Sequence, residues 1–243
     1  MAFKGFVLEG REDYSDIVIR HSTWPGSSWR LMIPEYGWIG ESVRSRGVNW
    51  PVREGREVSW RWTDPGSRNE FDGSAGVIND EEIEYRLNFT NTGEEKWGRG
   101  SSSLICLISG GVPAFHDYEG HRTFVHECGK GFVDIDAIQG GVWAEHRMWG
   151  GKVPALAGDR PAVERFMVKV SRDGEFVLGI ATDDATGVSC NHQLRMSCIH
   201  SNPLWGPLSP GESKNVRGKI YLFRGTREDV LDRYDQDFGR LCV

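Results

Sequence analysis

The chain has 243 residues, with 35 acidic against 29 basic side chains and a formal charge of −6. That balance argues against a phosphate backbone or an anionic bilayer as partner, so neither nucleic acid nor membrane is expected, and no apolar run reaches the length of a span. Five cysteines form an odd, loosely spread set that fits a reducing compartment better than a disulfide-stapled secreted fold. The N-terminal MAFKGFVLEGRED has no apolar stretch of leader type, so the default expectation is cytoplasmic, or secreted if a leader has been removed. The length suits one core, and a single β domain over 1–243 is expected.

Taken in chain order, the elements read as β almost throughout. Trp29, Leu31 and Ile33 alternate in SWRLMIPEYG, and Trp60 and Trp62 share a face in VSWRWTD. In EEIEYRLNFTNTGEE, Ile83, Tyr85, Leu87 and Phe89 alternate with polar residues up to the Asn91-Thr92-Gly93 turn, which predicts a strand with one wet face. SSLICLIS, RTFVHE and GKIYLFRG predict further strands. Asp173-Gly174 lies between two alternating runs and predicts a hairpin with a type I′ turn. The C-terminus alone reads as helical, with Thr226 as N-cap, Asp229 three residues on, and Val230, Leu231, Tyr234, Phe238 and Leu241 at helical spacing. That helix is expected over a sheet edge or an open end of the core. Many short antiparallel strands without repeats predict an all-β, two-sheet sandwich with one C-terminal helix.

The densest chemistry lies in SCNHQLRMSCIH, where Cys190-Asn-His192 and Cys198-Ile-His200 repeat one Cys-x-His pair. In a strand each pair aims a thiol and an imidazole the same way. Three readings stay open: a zinc site of Cys190, His192, Cys198 and His200; small buried cysteines with hydrogen-bonded histidines; or a metal-free centre in which a histidine moves protons. A second cluster, PAFHDYEGHRTFVHECGKG, holds His116, Asp117, His121, Arg122, His126 and Glu127. There Arg122 could clamp a carboxylate beside a proton-exchanging histidine, or the whole could be a solvated hairpin. Glu145 and His146, just after Trp143, form a third acid and imidazole neighbourhood.

Ten tryptophans are about three times ordinary usage. Trp38, Trp97, Trp143, Trp149 and Trp205 sit in turn-like contexts, where an indole can offer an apolar plate to a sugar ring. Pro203 biases Asn202 toward extended backbone, which predicts that His200 stands at the mouth of the sandwich with Trp205 as stacking plate.

The order of WRLMIPEYGWIGESV, the strand ending NFTNTGEEKW, and a strand leading into the His-bearing loop resembles the galactose mutarotase-like β-supersandwich over about residues 25–225. That superfamily's His-Pro-Tyr phrase is absent, and the equivalent stretch reads SSLICLISGGVPAFHDY. The resemblance implies the supersandwich fold and a carbohydrate ligand or substrate. The expected function is an enzyme acting on a sugar or uronate by proton transfer, of epimerase or β-eliminating lyase type. Its candidate catalytic residues are His200, His146, Glu145 and Arg122, with Trp205, His116, Asp117, His121, Trp143 and Asn202 contacting substrate. The alternatives are a non-catalytic carbohydrate-binding sandwich and a metal-stabilised structural protein.

Overall fold

The computed structural model describes residues 4–11, 14–39, 41–43, 47–66, 68–98, 101–135, 147–150, 163–191 and 196–242. The strands are β1 (Phe6–Gly10), β2 (Asp16–His21), β3 (Ser28–Ile39), β4 (Glu41–Val43), β5 (Asn49–Val52), β6 (Glu54–Gly55), β7 (Glu57–Thr63), β8 (Glu70–Val77) and β9 (Glu82–Thr90). They continue as β10 (Ser102–Gly111), β11 (Thr123–Glu127), β12 (Gly131–Asp134), β13 (Arg147–Gly150), β14 (Val163–Val170), β15 (Phe176–Thr182), β16 (Ala185–Asn191), β17 (Cys198–Pro203) and β18 (Ser213–Arg224), before the helix α1 (Arg227–Phe238).

These strands form two nine-stranded antiparallel sheets. One runs β13-β16-β17-β10-β3-β2-β1-β6, with β4 added to β3, and the other runs β12-β11-β14-β15-β18-β9-β8-β7-β5. Period-two alternation decides which side chains meet between them. Trp29, Leu31, Ile33, Ile105, Leu107 and Ile199 of the first sheet share one core with Trp60, Ile83, Tyr85, Leu87, Phe89, Met167 and Ile180 of the second. The alternation seen in the β9 sequence is therefore the signature of a strand with its Ile83 to Phe89 row buried and Arg86 left in solvent.

The helix begins as the sequence predicts, with Thr226 and Asp229 forming a reciprocal capping box. Its position differs from expectation: Val230, Leu231 and Tyr234 pack with Phe166, Val168, Val177, Ala181, Tyr221 and Phe223. Those residues form the outer face of β14, β15 and β18, so the helix covers a sheet face rather than an edge or an end. The β14-β15 hairpin is present, but its turn is not type I′. That turn needs two residues of positive φ, and only Gly174 has one; Asp173 instead accepts from Ser171 Oγ and from Glu175 N.

The expectation of reduced thiols throughout is also corrected. Cys128, just after β11, is joined by a disulfide to Cys242, beyond α1, while Cys106, Cys190 and Cys198 are free and buried. Spacing could not show this pair, because the two cysteines are 114 residues apart. Among the described residues no helix is long and apolar enough to cross a membrane.

Candidate functional site

β17 lies between β16 and β10, and the register sets three polar side chains on the outer face of the first sheet. His200 stands opposite Ser189 on one side and opposite Cys106 on the other. Its Nδ1 lies 2.8 Å from Ser189 Oγ, and its Nε2 lies 3.2 Å from Cys106 Sγ. Cys198, two residues earlier on the same strand, shares that face. The two thiol sulfurs and a His200 ring nitrogen all fall within 4.8 Å of one another, and all three residues are buried.

Glu35 completes the cluster. Where β3 pairs with β10, the register shifts between Leu104 and Cys106, so β3 carries extra residues past Met32. Glu35 lies in that stretch, with Oε2 3.9 Å from His200 Nε2. Its side chain is 13% exposed, against 2% for His200, so the carboxylate forms the solvent side of the group.

Two adjacent thiols in a dry site cannot both ionise. Burial, then the hydrogen bond and charge of Cys198, pushes the Cys106 thiol up. The hydrogen bond from Cys106, helped by His200 and by the ammonium of Lys169, holds Cys198 well below the usual thiol range. Lys169 is a fully buried amine of β14 that crosses the core from the second sheet and donates to Ser197 O and to Ser197 Oγ. Burial pushes its pKa down to about 8.

The sequence-predicted residues divide sharply against this geometry. Cys198 and His200 come together as expected, but Cys190 does not join them. Cys190 pairs with Ile199, and both point into the inter-sheet core, so Cys106 of a distant strand occupies the place assigned to Cys190. Asn202 is on the same face as His200, donates from Nδ2 to Ser189 Oγ at 3.4 Å, and keeps a buried Oδ1 that accepts from no described group. His192, Glu145, His146 and Trp143 lie outside the described residues.

The loop cluster is structural in its contacts. Asp117 accepts from Gly120 N, Arg122 N and Thr123 Oγ1 and so closes the turn. Arg122 donates to the carbonyls of His116, Val170 and Ala114, which leaves its guanidinium no clamp to offer. His116 sits between Gly110 O and Tyr118 Oη at 2.9 Å each, and His121 is an exposed turn residue. Trp205 is no surface plate: it is 1% exposed and packs on Phe89 inside the sandwich. His200 is likewise buried rather than at an open mouth.

No protein-family model matches this sequence, and no curated protein matches it. Among solved structures it is similar to a putative aldose 1-epimerase from Escherichia coli K12 (9% identity, 91% of this chain and 100% of that one, TM-score 0.52). It is also similar to a galactose mutarotase-like protein from Clostridium acetobutylicum (8% identity, 91% and 93%, TM-score 0.53). An α-N-acetylgalactosaminidase from Bifidobacterium bifidum aligns with 99% of this chain over 39% of its own length (13% identity, TM-score 0.55). The fold is that of the galactose mutarotase-like β-supersandwich, as the order of sequence features implied.

Proposed function

We propose that the protein is a carbohydrate-active enzyme of epimerase or β-eliminating lyase type, with its reaction centre at Glu35 and His200. The observation that carries this reading is a carboxylate and an imidazole 3.9 Å apart on the outer sheet face, the carboxylate on the solvent side. Proton transfer beside a sugar carbonyl or a uronate carboxylate needs such a pair, one member meeting the substrate and the other accepting or balancing its charge. Asn202 adds a buried acceptor, Oδ1, that suits a sugar hydroxyl. The fold supports the carbohydrate assignment, since the similar solved structures are named as sugar-processing proteins. The Cys128–Cys242 disulfide favours secretion or another oxidising compartment over the cytoplasm.

The test is turnover on a panel of free sugars and uronate-containing oligosaccharides, followed by NMR for epimerisation and by ultraviolet absorbance for elimination. His200→Ala and Glu35→Gln should each keep the β-sheet circular dichroism and lower turnover by about a hundredfold or more. Unchanged turnover in both variants would remove the pair from the mechanism. Sugar binding without turnover in the unmodified protein would establish a binding sandwich instead.

A further inference from the structure

We infer that Cys106, Cys198 and His200 form a zinc site of the Cys2His type, with a fourth position open toward Glu35. The donor set selects the metal: two thiolates and an imidazole suit zinc, whereas calcium and magnesium take oxygen ligands. The spacing fits as well. Around a tetrahedral zinc with ordinary bond lengths, a sulfur and a nitrogen stand about 3.5 Å apart; here His200 Nε2 and Cys106 Sγ are 3.2 Å apart, and all three donors lie within 4.8 Å of one another.

The surroundings are those of a held ligand set. Ser189 Oγ lies 2.8 Å from Nδ1, where it can accept the ring proton in the tautomer that leaves the Nε2 lone pair for a metal. Asn202 Nδ2 donates to that same hydroxyl and fixes it. Each ligand sits on a strand paired in register with the next, so the site needs no loop to close. With metal bound, the centre would be charge-neutral, two thiolates and one dication, with any remaining thiol proton released to solvent. Among the described residues the set has three ligands, the number of protein ligands a catalytic zinc keeps, and the solvent-side carboxylate of Glu35 stands beside it. The consequence for chemistry rests on the proposed sugar reaction: zinc would polarise the substrate oxygen while Glu35 moves the proton. The binding itself rests on the ligand geometry alone.

Protein purified without chelators and without added metal should carry about one zinc per chain by elemental analysis. Stripped protein titrated with cobalt(II) should develop the visible d–d bands and the thiolate charge-transfer band of a tetrahedral site. Cys106→Ser and Cys198→Ser should lose both signals, while Cys190→Ser and Glu35→Gln retain them. Absence of zinc from the unmodified protein together with absence of cobalt bands overturns the inference, as does loss of metal in Cys190→Ser but not in Cys198→Ser. Stoichiometric zinc without turnover on any sugar would sink the proposed sugar reaction and leave the metal site standing. Turnover that needs His200 in protein devoid of metal would do the reverse.

Discussion

At the scale of single residues, burial decides role more than chemical type does. An indole in a loop beside proline suggests a stacking plate, yet Trp205 is bound through its backbone N–H to Ser101 O and buried on Phe89. Removing it would open a large cavity in the inter-sheet core, and such truncations cost about 3–5 kcal/mol. Trp205→Ala is therefore expected to shift the denaturant midpoint strongly. If the variant is as stable as the parent but fails to retain sugar, the plate reading was right after all. Lys169 makes a second case. Its amine is neutralised in the fold more readily than in the unfolded chain, because burial lowers its pKa from the ordinary 10.5 to about 8. Between these values the unfolded chain binds the proton and the fold does not, so stability from this group is complete above pH 10.5 and is lost as pH falls toward 8. The span amounts to something on the order of 3 kcal/mol. Denaturant titrations at several pH values should show that slope in the parent and its absence in Lys169→Met; parallel curves would contradict it.

At the scale of elements, what was legible follows from locality. Alternation in β9, the Thr226 capping box and the existence of the β14-β15 hairpin all depend on residues within a few positions of each other, and all appear in the fold. Period-two spacing also aligned Cys198 with His200 on one face. The partners of that pair depend instead on which strand lies alongside. β17 pairs with β10, more than ninety positions earlier, and that choice brings in Cys106. Glu35 depends further on the register shift between β3 and β10, which no local pattern announces. The same argument explains Cys190: its spacing from Cys198 is even, yet the pairing register of β16 and β17 sets Cys190 opposite Ile199 and so on the inner face. Chemistry of the HDYEGHR segment was visible as composition, but its polar groups close their own turn, a use that spacing alone could not separate from a ligand site.

At the scale of the whole molecule, the sandwich places the Cys106, Cys198 and His200 cluster on the outer face of one sheet and its fastening on the other. The second sheet's outer face carries α1, and the chain beyond that helix is tied down twice. Glu164, fully buried, accepts from Leu241 N at 3.0 Å and from Cys242 N at 2.9 Å, and the disulfide then joins Cys242 to Cys128. Because the cross-link spans 114 residues, it removes much of the freedom of the unfolded chain while adding little to contacts that Glu164 already holds. In the chain-entropy description a loop of this size contributes about 4–5 kcal/mol. A chain of this length converts that to a fall of about 10 °C in Tm on loss of the bond. Cys128→Ala with Cys242→Ala, or reduction of the parent, should therefore lower Tm by that order while the β-sheet spectrum at low temperature stays unchanged. The buried Cys106 and Cys198 provide the internal control, since cysteines outside the bridge should contribute nothing to a reductant-dependent shift. A parent protein whose Tm ignores reductant would show that the bridge is unformed in solution, and with it would fall the preference for an oxidising compartment.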